Sequence, residues 1–133
     1  MTDLSIPSSQ STPAVEGLWD QGLLRMEGDS YPENSFDFFS TVITWIEGFL
    51  TRTQRPLTLE LRLIYMNTSS VKALMDIFEM LEEAHRQGRQ VQVHWRYDPR
   101  NERVVEMAED FREDCTFAFH IEADEADETR GAH

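Results

Sequence analysis

The run LTLELRLIYM at residues 57–66, followed at once by NTSS and then by VKALMDIFEMLEEAHRQG, constrains the fold more than any other part of the chain. Leu57, Leu59, Leu61, Leu63 and Tyr65 alternate, a period of two that gives a β-strand one apolar face. Val71, Leu74, Met75, Phe78, Leu81 and Ala84-His85 then recur every three or four positions, the period of an amphipathic helix, and Gly88 supplies its stop. A strand that runs straight into a helix calls for a crossover to a further strand lying parallel to it. The first strand of such a unit is expected near the centre of a sheet.

The neighbouring segments extend this alternation. Val91, Val93 and Trp95 mark another strand within residues 90–97, and Pro99 breaks it. Residues 101–111 give a third helix through Val104, Val105, Ala108 and Phe111, and residues 116–122 a last short strand. Upstream, AVEGL and LLRMEG flank the turn-forming WDQG and predict a β-hairpin. GDSYPENS reads as a loop that leads to a helix capped near Asn34 or Ser35.

In that helix Phe36, Phe39, Ile43, Ile46 and Leu50 form a stripe, widened by Phe38, Val42, Trp45 and Phe49. The face is broader than one sheet contact needs. It is either all core, or some of its aromatics form a docking patch for a partner.

The expected architecture is one α/β domain over residues 14–122, a mixed sheet of about five strands (the hairpin plus three later strands) covered by about three helices. Residues 1–13, rich in Ser, Thr and Pro, read as an extended or mobile lead-in, and residues 123–133 as an acidic, disordered tail.

Charge narrows the function classes. The chain has 12 Lys+Arg against 25 Asp+Glu, a formal net of −13, which repels phosphate backbones and anionic lipid. Nucleic acid and membrane surfaces are therefore poor partners. The acidity is uneven: residues 1–50 hold Arg25 as their one base, whereas residues 51–121 are nearly balanced. Lys72 is the single lysine.

With Cys115 as the one cysteine there is no internal disulfide and no cysteine-based metal cluster, which suits a reducing cytoplasm. MTDLSIPSSQ lacks a basic start and an apolar stretch, so no signal peptide is expected, and a cytoplasmic location follows.

Reacting groups of the usual kinds are missing. His85, His94, His120 and His133 are scattered without ligand spacing, and there is no Gly-rich phosphate loop and no GxSxG. Glu82-Glu83, Glu109-Asp110 and Glu113-Asp114 fall on polar helix faces as solvated charge. No catalytic residue, metal site or cofactor is expected, and the chain reads as a non-enzyme.

The unusual segment is the junction Tyr65-Met66-Asn67-Thr68-Ser69-Ser70-Val71-Lys72. Its hydroxyls are expected to cap the helix by accepting from free N–H groups of the first turn. Capping needs one hydroxyl, and three are present. The same N–H groups and the positive end of the helix dipole favour an anion, so a phosphate added here would sit in a favourable field. Lys72, four residues after Thr68, is placed to reach it. The added charge of about −1.5 to −2 would be enough to reverse a docking preference.

These residues resemble a known family. The order of elements, with [Asn/Asp]-[Ser/Thr]-Ser after a central strand, is similar to the STAS fold of anti-sigma factor antagonists. STPAVEG, GDSYPENS and LIYMNTSSVKALMDIFEMLEEAHRQGRQVQVHWRYD resemble, more specifically, the SiaC family of bacterial regulatory phosphoproteins. The resemblance runs from about Ser11 to Ile121 and makes residues 14–122 a STAS-like regulatory domain.

It implies that Thr68 is phosphorylated by a cognate kinase of the anti-sigma-factor type and restored by a metal-dependent serine/threonine phosphatase. It further implies that the unphosphorylated form binds and activates a diguanylate cyclase, raising cyclic di-GMP and promoting biofilm or aggregate formation. Asn67-Thr68 in place of the commoner Asp-Ser, and Ser70-Val71 where a glycine often follows, set the chain apart from the general STAS pattern. The alternative is a STAS antagonist of an anti-sigma factor, also switched at Thr68. The partner surface is expected to combine Asn67, Ser69, Ser70 and Lys72 with Tyr31, Pro32, Glu33 and Asn34 of the preceding loop.

Overall fold

A computed structural model describes residues 3–124 of the chain. Its elements run β1 (Leu4–Ile6), β2 (Ala14–Leu18), β3 (Leu23–Ser30), α1 (Ser35–Arg52), β4 (Leu57–Met66), α2 (Thr68–Arg86), β5 (Val91–Tyr97), α3 (Glu102–Glu113) and β6 (Ala118–Ala123). The strands form one sheet in sequential order, β1-β2-β3-β4-β5-β6. The first two pairings are antiparallel and the last three parallel. The hairpin and the mixed sheet follow the sequence reading, and β4 lies inside the sheet.

Each parallel pair is joined through one helix. Because the strand order never reverses, crossovers of a single hand set α1, α2 and α3 on one face. That face carries the core: Leu57, Leu59, Leu61 and Leu63 of β4 and Val91, Val93 and Trp95 of β5 are buried there. Trp95 stacks on Phe111, while Trp19 meets Trp45 and Phe49 edge-on. At Gly17 an added Cβ would stand 2.8 Å from the Trp45 indole, so only glycine lets α1 approach the hairpin this closely.

The opposite face has no helix. Glu16, Arg25, Glu60, His94 and His120 stand side by side on it from β2 to β6, and Arg25 donates to Glu60 at 2.8 Å and to Glu16 at 3.3 Å. Exposed pairs of this kind stabilise by only about 0–1 kcal/mol. Their effect is to keep an uncovered sheet face wettable.

Four expectations need correction. The sheet has six strands rather than about five, because Leu4–Ile6 of the supposed lead-in pairs with β2. That segment is held down: Asp3 accepts from the Trp19 N–H at 2.8 Å, and the Ser11 carbonyl accepts from the Tyr31 N–H at 2.7 Å.

Second, Tyr65 does not continue the buried alternation. Gly28 pairs with Leu63, but Ser30 pairs with Met66, so β4 carries one extra residue. The bulge exposes Ile64 and Tyr65 and buries Met66.

Third, Phe36 is 81% exposed and Met75 46% exposed. The buried arc of α1 runs through Ser35, Phe39, Val42, Trp45, Ile46 and Phe49, and that of α2 through Ser70, Leu74, Ile77, Phe78, Leu81 and Glu82, which leaves both side chains on the outside.

Fourth, β6 reaches Ala123, and Asp124 accepts from Arg62 at 2.7 Å, so the first two residues of the expected tail belong to the domain. The remainder of that tail, residues 125–133, lies outside the described residues.

The loop after α2 ties the helical layer together. Gly88 takes φ +95°, and its N–H and that of Arg89 return to the His85 and Ala84 carbonyls. Arg89 then donates to the carbonyls of Leu50, Thr53 and Arg55, closing the end of α1. Among the described residues no helix is long and apolar enough to cross a membrane.

Candidate functional site

The three hydroxyls at the start of α2 have three different fates. Asn67 is the N-cap: its side chain accepts from the Ser70 N–H at 2.9 Å, and its carbonyl accepts from Val71 at 3.0 Å. The expectation that a hydroxyl would cap the helix is therefore corrected. An Asn carboxamide does the same work, since its oxygen reaches the third N–H of the helix equally well.

Ser70 turns inward and is fully buried. Its hydroxyl donates to the Ser30 carbonyl at 3.0 Å and lies 2.8 Å from the Ser30 hydroxyl, joining α2 to the end of β3. Ser69 donates to Asn67 Oδ1 at 3.2 Å and lies 2.6 Å from the Ser35 hydroxyl, joining the start of α2 to the start of α1. Thr68 is exposed, and no described residue hydrogen-bonds its hydroxyl. It is the first helical residue, beside main-chain N–H groups that have no intrahelical acceptor. Lys72 is exposed one turn on, on the same side of the helix.

The SYPEN loop comes to the same place. The Asn67 N–H donates to Ser30 O at 3.0 Å, and Tyr31 meets Tyr65 edge-on at 5.7 Å. Asn34 is the N-cap of α1, accepting from the Asp37 N–H at 3.1 Å. The structure thus brings Tyr31, Glu33, Asn34, Asn67, Thr68, Ser69 and Lys72 to one end of the sheet, beyond the carboxyl ends of β3 and β4.

Two residues expected on the partner surface, Pro32 and Ser70, are buried and support it from beneath. Ser70 is spent on Ser30. Sequence reasoning missed Ser30 and Ser35, whose hydroxyls hold Ser70 and Ser69. The available signal was that both flank the loop already singled out, at the end of a strand and the start of a helix.

Elsewhere the titratable groups serve the fold. Among the described residues no group of three or more His, Cys, Asp and Glu is arranged to hold a metal. Cys115 is half-buried, and burial, with Glu82 and Asp114 nearby, pushes its thiol up to about 11, away from reactivity. Glu82 is a buried carboxylate that accepts from the Thr116 N–H at 2.8 Å and the Thr116 hydroxyl at 2.6 Å. Those bonds hold it below the usual carboxylate range.

A helix-fronted mixed sheet with one unengaged hydroxyl at a helix start places the chain in the class of small α/β domains, with a hydroxyl open to modification. Comparison with known proteins makes the class specific. The profile of the SiaC family regulatory phosphoproteins matches residues 6–124, and the chain belongs to that family.

An uncharacterized protein of Pseudomonas aeruginosa (strain UCBPP-PA14) is 62% identical over 123 residues, 92% of this chain and 98% of that one. The solved structure of SiaC of Pseudomonas aeruginosa is 59% identical with a TM-score of 0.89, covering 93% of this chain and 100% of the other. A chain in the crystal structure of the diguanylate cyclase SiaD in complex with its activator SiaC, from the same organism, is 61% identical with a TM-score of 0.90, covering 92% and 100%.

Proposed function

We propose that the chain is a non-catalytic switch of STAS-like fold in which reversible phosphorylation of Thr68 controls partner binding. In the unphosphorylated form it binds and activates a diguanylate cyclase, raising cyclic di-GMP and promoting biofilm or aggregate formation. A cognate kinase of the anti-sigma-factor type adds the phosphate, and a metal-dependent serine/threonine phosphatase removes it. The exchange takes place in the cytoplasm.

The observation that carries this reading is the division of the hydroxyls: Ser70 is buried on Ser30, Ser69 is bonded to Ser35, and Thr68 stands exposed without a partner among the described residues. A kinase needs an accessible hydroxyl whose loss to phosphate does not unfold its surroundings. At the first helical position a phosphate also gains from the dipole and from Lys72 one turn away. Membership of a regulatory phosphoprotein family, and the crystallised complex of a relative with a cyclase, favour this output over an anti-sigma factor partner.

Intact-mass analysis of protein isolated from cells, with site mapping, is expected to put one phosphate on Thr68. Thr68→Ala is expected to retain cyclase binding and Thr68→Glu to lose it. Equal cyclase binding by fully phosphorylated and unmodified protein would sink the proposal.

A further inference from the structure

The carboxyl ends of β4 and β5 and the turn into α3 enclose an open cavity of about 320 Å³, a size that suits a small ligand. No residue of α1 or α2 lines it. Three arginines do: Arg62 from β4, Arg96 from β5 and Arg100 from the turn. Asp98 supplies the one carboxylate of the lining. In a chain of net charge −13 this is a local reversal of sign.

The hydrogen bonds at the cavity leave donors unspent and acceptors taken. Arg100 grips Asp98 through Nε at 3.0 Å and Nη2 at 2.7 Å. That fork, with the Arg100 main-chain N–H at 2.9 Å, holds the carboxyl down at about 2. Arg62 donates through Nε and Nη2 to Asp124 at 2.9 and 2.7 Å, and its Nη1 lies 3.7 Å from Glu27. Each guanidinium has five N–H donors, so both keep some in reserve.

Arg96 is exposed, and its side chain pairs with no described residue. The Asn101 carboxamide lines the cavity with no hydrogen bond to a described residue. The nearest carboxylates on the helix-free face are already opposed, Glu27 by Arg62 and Glu122 by His94 at 3.2 Å. What the cavity lacks is an acceptor that carries negative charge.

We propose that this cavity binds the phosphate group of a small phosphorylated compound, held by Arg96, Arg100 and Asn101 beside an apolar wall of Ile64 and Tyr97. A carboxylate offers two oxygens in one plane and a single charge. A terminal phosphate offers three oxygens and about −1.5 to −2 charges, which suits guanidiniums that approach from two strands and a turn. Ile64 is 47% exposed at the β4 bulge and Tyr97 is half-buried. A ring carried by the phosphate covers that apolar surface and removes it from water.

The acidity of the rest of the chain does not forbid this. At physiological ionic strength a charge is screened beyond about 8 Å, and the arginines are the nearer charges. A nucleic acid strand remains excluded, because its further phosphates would lie outside the cavity against an acidic surface.

The test titrates the unphosphorylated chain with inorganic phosphate, adenosine monophosphate and citrate, following heat and the side-chain amide resonances of Asn101. Both phosphate probes are expected to bind and to shift those resonances. Adenosine monophosphate is expected to bind at least about threefold more tightly than inorganic phosphate, through the apolar wall. Arg96→Ala removes an exposed side chain without a partner and is expected to weaken adenosine monophosphate binding at least about tenfold. Arg100→Ala is expected to weaken it at least as much, since it also bares the Asp98 carboxylate. Ile64→Ser is expected to abolish the preference for adenosine monophosphate and leave inorganic phosphate binding unchanged. Lys72→Ala, at the start of α2, is expected to change neither, and urea midpoints confirm that each variant is folded.

No heat and no Asn101 shift with either phosphate probe up to about 10 mM would overturn the assignment. Binding that survives Arg96→Ala and is lost in Lys72→Ala would also overturn it, placing the anion at the start of α2. So would citrate binding as tightly as adenosine monophosphate, which would make this a carboxylate site.

Discussion

The division of labour among the three hydroxyls has a thermodynamic signature. In Ser70→Ala the buried Ser30 hydroxyl loses its partner, because the two oxygens are 2.8 Å apart and the Ser70 hydroxyl is itself committed to Ser30 O. A buried polar group left unsatisfied costs about 1–3 kcal/mol, so Ser70→Ala is expected to destabilise by about 2 kcal/mol. Ser30→Ala is milder, about 1 kcal/mol, because Ser70 still donates to the main-chain carbonyl at residue 30.

The double variant removes both oxygens and leaves neither stranded. Its cost should fall at least about 1 kcal/mol short of the sum of the singles, a coupling typical of directly bonded side chains. Thr68→Ala touches an exposed group and should stay within about 0.5 kcal/mol of the parent.

Urea unfolding followed by the fluorescence of Trp19, Trp45 and Trp95 reads all four, and at a slope of about 2 kcal/mol per M the Ser70→Ala midpoint drops by about 1 M. Equal midpoints for Ser70→Ala and Thr68→Ala, or strict additivity in the double variant, would refute the reasoning that separates the structural hydroxyl from the free one.

Two further perturbations probe the frame that holds the site. Glu82 has a folded pKa held down by its two bonds from Thr116, so its contribution is fully present above its unfolded pKa and is lost as pH falls through the lower folded value. Thermal melts between pH 7 and pH 3 should show a steeper acid loss for the parent than for Glu82→Gln; identical profiles would remove Glu82 from the account. Arg89→Ala strands the carbonyls of Leu50, Thr53 and Arg55 and should cost about 2 kcal/mol in the same urea assay, with Arg89→Lys recovering only part because a single ammonium cannot span three acceptors.

Much of the frame was legible because it rests on local periodicity. The Leu57–Leu63 alternation, the Val91–Trp95 alternation and the helical repeats after Asn34 and Asn67 each placed an element; both strand alternations are buried as read, while the helical repeats are buried except where Phe36 and Met75 turn outward and Ile43, Leu50 and Val71 are half-buried. What was not legible depends on contacts between segments distant in sequence. Leu4–Ile6 is a strand because β2 offers it a free edge, and nothing in LSI alone announces that.

The site shows the same boundary. The clustering of hydroxyls after a strand singled out residues 67–72, and its context put the helix start at Thr68 or Ser69, of which the structure takes Thr68. Their sorting could not be read, because Ser30 and Ser35, forty and thirty-four residues from their partners, decide which hydroxyls are spent. The capping role of Asn67 was within reach of the sequence, since an Asn before a helix is a favoured N-cap by chemistry alone.

The supernumerary residue in β4 aims the switch. With uninterrupted pairing Ser30 would face Tyr65, Met66 would turn to the helix-free side, and the chain would start α2 half a pleat out of phase. Removing one residue at Ile64 or Tyr65 would thus tidy the strand and misdirect the helix, pulling Asn67 off Ser30 and breaking the Ser30–Ser70 latch. Among homologous sequences, spacing between the fourth strand and the threonine should tolerate substitution far better than deletion, for what looks like a flaw in the sheet is the spacer that sets the threonine facing outward.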